Sequence, residues 1–130
     1  MKALPEIWKA TLNKPVFVHL TTLMPDGSPQ ASPVWVDLDG DTIVVNSAQG
    51  RVKDKNMRRD PRVAISVVDP DNPYKAIMIR GRVAKISTQG ADEHIDRLAK
   101  KYLGKDKYPF RKPDEVRVMY RIEPEQLSAT

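Results

Sequence analysis

A chain of 130 residues has the length of one domain and can bury a single core, and its 40% hydrophobic and 30% charged residues point to neither a disordered nor a membrane-embedded class. The absence of cysteine excludes a disulfide framework, a thiol nucleophile and a thiolate metal site. A net charge of +5 suits an anionic partner, whether nucleic acid, a membrane surface or a phosphorylated small molecule, without choosing among them.

The opening MKALPEIWK carries Glu6 and Lys9 where a signal peptide needs a continuous apolar region, and no apolar run reaches the roughly 18 residues of a membrane span. A cytoplasmic address without a membrane partner is expected. Leu4, Ile7, Trp8 and Leu12 recur at helical spacing, with Pro5 suited to a first turn and Pro15 ending the segment, which predicts a short helix over one end of the core. The stretches 16-VFVHLTTL-23 and 31-ASPVWVDL-38, joined through Pro25, Asp26 and Gly27, predict a hairpin. Asp39-Gly40-Asp41 predicts a tight connection into 42-TIVVNS-47, so that three antiparallel strands form a meander.

Next comes 46-NSAQGRVKDKNMRRDPR-62, which predicts a helix beginning near Arg51 and ended by Asp60-Pro61. Strands follow over 62–68 and 74–87, separated by the turn-forming 69-DPDNP-73, and Gly81 inside the second reads as a bulge or bend. Ile95, Leu98, Ala99 and Tyr102 define an amphipathic helix with Gly104 at its C′ position. A last strand over 115–123 alternates Val116, Val118, Tyr120 and Ile122 with Arg117, Met119, Arg121 and Glu123. Six strands and few helices predict a mainly β fold, a small closed or nearly closed barrel.

The chemistry available is limited. His19 and His94 are the only histidines and are far apart, so no metal site is expected; His19 reads as a hydrogen-bonded structural residue within a strand and His94 as lying on the exposed side of its helix. No nucleophile elbow, paired carboxylates or glycine-rich nucleotide fingerprint is present, so no catalytic residue is assigned and any reactive group is expected to come from a cofactor. The basic run is more informative. Arg51 and Lys53 place cations at the positive end of a helix dipole, a mismatch worth about 0.3 kcal/mol or more each at exposed sites. A phosphate held by the helix-start amides, the Ser47 hydroxyl, Arg51 and Lys53 would relieve it. Arg58, Arg59 and Arg62 suit the opposite end of the dipole, and a merely solvated helix, with Asp54 and Asp60 as partial counterions, stays open.

The segment GRVKDKNMRRDPRVAISVVDP, following TIVVNSA and the hairpin ASPVWVDLDGD, resembles the pyridoxamine 5′-phosphate oxidase-like superfamily of split β-barrel flavoproteins, and more narrowly its small flavin/deazaflavin oxidoreductases. The resemblance covers nearly the whole chain, and Arg51 to Val63 is its most specific part. It implies a single domain over residues 1–130, a six-stranded antiparallel split β-barrel of the FMN-binding type, forming a homodimer with the cofactor in a groove at the subunit interface. By position, Lys53 matches the family's phosphate-binding lysine and Arg51 lies on the same turn. Asn46, Ser47 and Ala48 fall where the third strand meets the cofactor, and Ser32, Pro33, Val34 and Trp35 run beside its tricyclic ring.

The second strand lacks the basic residues of the oxidase proper, and Ala76-Ile77-Met78 offers no amide, so oxidation of pyridoxine phosphate is not expected. Coenzyme F420 is the expected cofactor, with Lys55 and Arg58 suited to its additional negative charge, and FMN is the alternative. The implied activity is hydride transfer between that cofactor and an unsaturated small-molecule substrate; a non-catalytic carrier or storage protein is the alternative. A nucleic-acid partner is not expected, because aromatic residues make up 6% of the chain and none lies between Trp35 and Tyr74.

Overall fold

The computed structural model describes residues Met1–Thr130. In chain order the elements are α1 (Glu6–Leu12), β1 (Val18–Leu23), β2 (Pro29–Val34), β3 (Asp37–Asp39), β4 (Thr42–Ala48), α2 (Val52–Arg59), β5 (Arg62–Asp69), β6 (Asn72–Ser87), α3 (Ala91–Leu103) and β7 (Arg117–Ala129). The strands form one 7-stranded sheet in the order β2-β1-β5-β6-β7-β4-β3. Its pairings are antiparallel.

Alternation along the strands sends Val18 and Leu20 of β1, Val34 of β2, Ile43 and Val45 of β4, Ile65 of β5, Ile79 of β6 and Tyr120 and Ile122 of β7 into one buried cluster. Strands from opposite ends of the order share that core, so the sheet is curled into a barrel. The ring of strand hydrogen bonds is open between β2 and β3, which makes it a split barrel. The expected mainly β, split-barrel class is therefore present.

The strand expected over 31–38 breaks at Trp35-Val36, which gives seven strands rather than six and removes the expected three-stranded meander. The physical reason lies in α3. The Val36 amide donates to the Tyr102 hydroxyl at 2.9 Å, and the Val36 carbonyl accepts from Lys101 Nζ at 2.7 Å. Tyr102 in turn donates to the Val16 carbonyl at 2.6 Å, and Lys101 Nζ to the Leu12 carbonyl at 2.7 Å. The crossing segment thus satisfies its backbone from a helix instead of a neighbouring strand. Trp35 stacks on Tyr102, with centroids 4.9 Å apart and planes 9° from parallel.

Gly81 marks the expected irregularity: the β6–β7 register shifts between Arg80 and Gly81. A Cβ there would sit 2.7 Å from the Glu123 carbonyl oxygen, so the two strands approach too closely for any side chain. The last strand runs to Ala129, beyond the expected 123. His19 faces outward from β1, opposite Pro33, and is exposed rather than hydrogen-bonded within the sheet. No helix is long and apolar enough to cross a membrane.

Candidate functional site

The β4–α2 connection starts from the barrel wall. The Gln49 amide donates to the Val116 carbonyl at 2.8 Å, Gly50 turns the chain with φ +89°, and Arg51 is the N-cap of α2 without a side-chain cap hydrogen bond. Glycine is required for that turn because φ is positive. Asp54, in the first turn, points inward and is buried. It accepts from the Gly50 amide at 2.9 Å, Arg58 Nε at 3.0 Å and the Tyr120 hydroxyl at 2.5 Å. Burial opposes its charge, but these three donors hold the carboxyl below its ordinary value; burial pushes the Tyr120 hydroxyl far up, and Asp54 adds to that.

The cations of the C-terminal half are all engaged. Arg58 binds Asp54, Arg59 donates to the Leu23 carbonyl at 2.8 Å and Asn56 Oδ1 at 2.7 Å, and Arg62 pairs with Asp60 at 2.7 Å. At the other end, Arg51 lies 3.4 Å from Glu115, while Lys53 forms no ion pair within the chain. Half-burial, then the charges of Arg51 and Arg117, lower the Lys53 pKa from its ordinary value. Arg117, only 5% exposed, bonds Glu115 at 2.7 Å and Asn46 Oδ1 at 2.9 Å and lies 5.1 Å over the Tyr108 ring.

These residues border a cleft of about 190 Å³. Part of the lining is basic, Arg51, Lys53 and Arg117 with Asn46. The rest is aromatic and apolar, Phe17, Trp35, Tyr108 and Phe110 with Ile95 and Leu98 of α3, and Arg117 joins the two by lying over Tyr108. Tyr108 meets Trp35 and Phe110 edge-on at 6.0 and 5.7 Å, and Phe17 and Phe110 are 59% and 61% exposed. The volume is below the roughly 300 Å³ of enclosed small-molecule pockets, so a ligand larger than a phosphate would lie in an open groove. The chemistry offered is anion binding beside contact with a flat ring.

Of the residues singled out from sequence, Pro33, Val34, Trp35, Asn46, Arg51 and Lys53 line this cleft. Ser32, Ser47, Ala48, Lys55 and Arg58 do not line it. Ser47 shares the inward face of Val45, opposite Val118; its hydroxyl is buried at 2% exposure and has no partner. Lys55 is exposed, Arg58 is committed to Asp54, Ala48 sits opposite Arg117, and Ser32 sits opposite Leu20.

His94 is not on the exposed side of its helix but buried, at 1% exposure. The helix exposes Asp92, Glu93, Arg97 and Lys100 instead, because the edge formed by β3 and β4 covers the flank that carries His94. Sequence reasoning missed Phe17, Tyr108, Phe110 and Arg117. The signal for two of them was available: Tyr108-Pro109-Phe110 is an aromatic cluster in a connecting segment, where binding residues concentrate.

Comparison with known proteins gives a consistent picture. No curated protein matches the sequence. The family model described as pyridoxamine 5′-phosphate oxidase matches residues 4–130. Among solved structures, an F420 reductase is 32% identical, over 96% of this chain and 98% of that chain, with a TM-score of 0.84. HupZ of Group A Streptococcus, 20% identical over 97% of this chain and 93% of that chain, has a TM-score of 0.71. General Stress Protein 26 of Bacillus anthracis, 14% identical over 95% and 91%, has a TM-score of 0.70. The last two are alike in fold alone.

Proposed function

Since this chain belongs to the pyridoxamine 5′-phosphate oxidase family, matched over residues 4–130, we propose that its cleft holds a phosphate-bearing flavin or deazaflavin and that the protein is an oxidoreductase. The reaction would be hydride transfer between coenzyme F420, with FMN the alternative, and an unsaturated small-molecule substrate. One observation carries the reading: Arg51, Lys53 and Arg117 converge beside an aromatic wall with only Glu115 to offset them, and Lys53 has no counterion. A cation pushed toward losing its proton by burial and like charges is stabilised by a bound anion. The donor set therefore fits a phosphate, and Trp35, Tyr108 and the apolar side chains of α3 fit a planar ring.

The 32% identical F420 reductase favours the deazaflavin over FMN. When bound, that cofactor supplies the ring that carries the hydride. The chain's own work is positioning. Lys53 and Arg51, with the open amides of the first turn of α2, hold the phosphate. Arg117 adds a third cation, kept in place by Glu115 and Asn46. Trp35, fixed by its stack on Tyr102, would offer the ring a rigid flat surface. Glu115 is bound by both arginines and is not free to act as a general base, which accords with a reaction whose chemistry resides in the cofactor. The open side of the groove suits completion by a second copy of the chain, the homodimer expected from the resemblance.

Titration of the purified protein with coenzyme F420 and with FMN tests this reading. Micromolar or tighter binding of at least one, with F420 the tighter, is expected; failure to bind either overturns it. Bleaching or recovery of the bound cofactor's absorbance on adding candidate unsaturated acceptors then distinguishes an enzyme from a carrier.

A further inference from the structure

In the cleft lining, Asn46 is the centre of a hydrogen-bonded chain whose polarity is fixed at its ends. The Ala91 carbonyl can only accept, so Asn46 Nδ2 faces it, at 2.9 Å. Arg117 Nε–H can only donate, so Asn46 Oδ1 faces it, at 2.9 Å. The second Nδ2 hydrogen is then directed to His94 Nδ1, 3.1 Å away, which must accept it. The proton of the neutral imidazole therefore sits on Nε2, buried and 3.4 Å from Asp37 Oδ2, outside hydrogen-bond geometry. Every polar atom of the Asn46 side chain is committed, and its last link is a cofactor-site arginine.

We propose that His94, acting through Asn46, is a positioning residue for Arg117 and holds that guanidinium at the cleft only while the imidazole is neutral. The role rests on the reading of the cleft as the site of a phosphate-bearing cofactor. A protonated His94 carries hydrogens on both nitrogens, so Nδ1–H would oppose the Asn46 amide hydrogens. To accept from it, the amide must turn by half a rotation. Oδ1 would then face the Ala91 carbonyl and Nδ2 would face Arg117 Nε–H: two hydrogen bonds are lost for one gained. Arg117 would keep Glu115 as its only side-chain hydrogen-bond partner, with the Tyr108 ring beneath it, and lose the bond that anchors its Nε.

The charged groups around His94 pull in both directions. Asp37 of β3 favours the imidazolium, while Arg97 of α3 and Arg121 of β7, which line the same outer cavity, oppose it; Asp39 is occupied by Arg121 at 2.7 Å. Beyond Asn46 lie Arg117, Glu115, Arg51 and Lys53. Without the relay, acidification over this range would leave anion binding to this basic cleft unchanged or tighter, because the carboxylates stay ionised and any proton taken up adds positive charge. The relay predicts the reverse, and by linkage a bound cofactor that engages Arg117 resists protonation of His94.

The experiment has two arms. Coenzyme F420 affinity is measured between about pH 5 and 8 for the wild type and for His94→Gln, whose amide oxygen can accept from Asn46 but cannot gain a proton. The wild type is expected to weaken by about tenfold more than the variant as pH falls, the effect of one misplaced charge-assisted contact. Identical pH dependence overturns the relay. In the second arm, nuclear magnetic resonance on the cofactor-free wild type follows the His94 ring carbon and the Arg117 Nε–H signal. Both are expected to change at one common pH; independent changes, or no titration of His94, overturn the proposal. Failure of F420 to bind at any pH would instead overturn the reading of the cleft, while the second arm still tests the relay.

Discussion

At the C-terminal end of α2, Arg58 reaches Asp54, Arg59 reaches the Leu23 carbonyl and Asn56, and Arg62 reaches Asp60 just beyond the helix. At the N-terminal end, Arg51 shares Glu115 with Arg117, and Lys53 has no acidic partner. The residue types are alike and the helix dipole separates them: cations complement its C-terminus and oppose its N-terminus. The acid in the first turn does not repair the mismatch, because Asp54 turns inward to tie the helix to Tyr120 on β7. A dense basic run is thus part architecture and part proposed anion site: partnership separates Arg58, Arg59 and Arg62 from Lys53, while Lys55, exposed and without an ion pair, lies outside the cleft.

The largest way to break this division is to remove Asp54. Asp54→Ala leaves the Tyr120 hydroxyl buried without an acceptor and frees the Gly50 amide and Arg58, so a loss of about 3 kcal/mol is expected from urea denaturation. A loss below about 1 kcal/mol would mean the helix is held elsewhere. Next in size is the site half. Arg51→Ala with Lys53→Ala is expected to weaken cofactor binding by about tenfold or more, with stability unchanged or slightly raised as like charges are relieved. Arg59→Ala should do the opposite, lowering stability by about 1 kcal/mol and leaving affinity within about twofold. Matched effects in the two variants would erase the distinction.

Much of this was legible in the sequence. Periodicity located the helix ending at Gly104, turn chemistry located the β1–β2 and β3–β4 hairpins, and charge frustration picked out Arg51 and Lys53. What was not legible depends on contacts between distant segments. Trp35-Val36 reads as strand because its β propensity is strand-like, and only the Lys101 and Tyr102 side chains of α3 explain why it pairs with no neighbour. Ser47 was credited with a phosphate contact from its position in the run, but a period of two in β4 turns it into the barrel and leaves the cleft to Asn46. The alternation of the last strand sets Arg117 on its polar face, and helical spacing sets His94 on the exposed side of its helix, since a one-dimensional pattern cannot show that β4 lies against both.

A smaller effect sharpens the comparison by extending it to two half-buried lysines. Lys53 has no acceptor, whereas Lys101 donates to the Leu12 and Val36 carbonyls. Burial lowers the Lys101 pKa from 10.5 to about 8, with Asp37 opposing. The folded chain therefore releases this proton near pH 8 and the unfolded chain only near 10.5, so between those values the unfolded chain binds more protons and stability rises with pH. Tyr102 acts in the opposite sense but later: burial raises its hydroxyl from 10.0 to about 12, so its effect removes stability only as pH climbs past 10. In the window from about 8 to 10 Lys53, also lowered, adds a change of the same sign to both proteins, so the difference between the wild type and a Lys101 variant reports Lys101. Thermal denaturation across it should show the wild type gaining stability relative to Lys101→Met, with cofactor affinity of the two proteins alike. For Lys53 the same alkaline change should appear in affinity, since a bound phosphate favours its charged form and deprotonation removes that partner. If the alkaline change in affinity persists in Lys53→Ala, or the Lys101→Met difference is flat, partnership is not what separates a lysine that builds the fold from one that awaits a ligand.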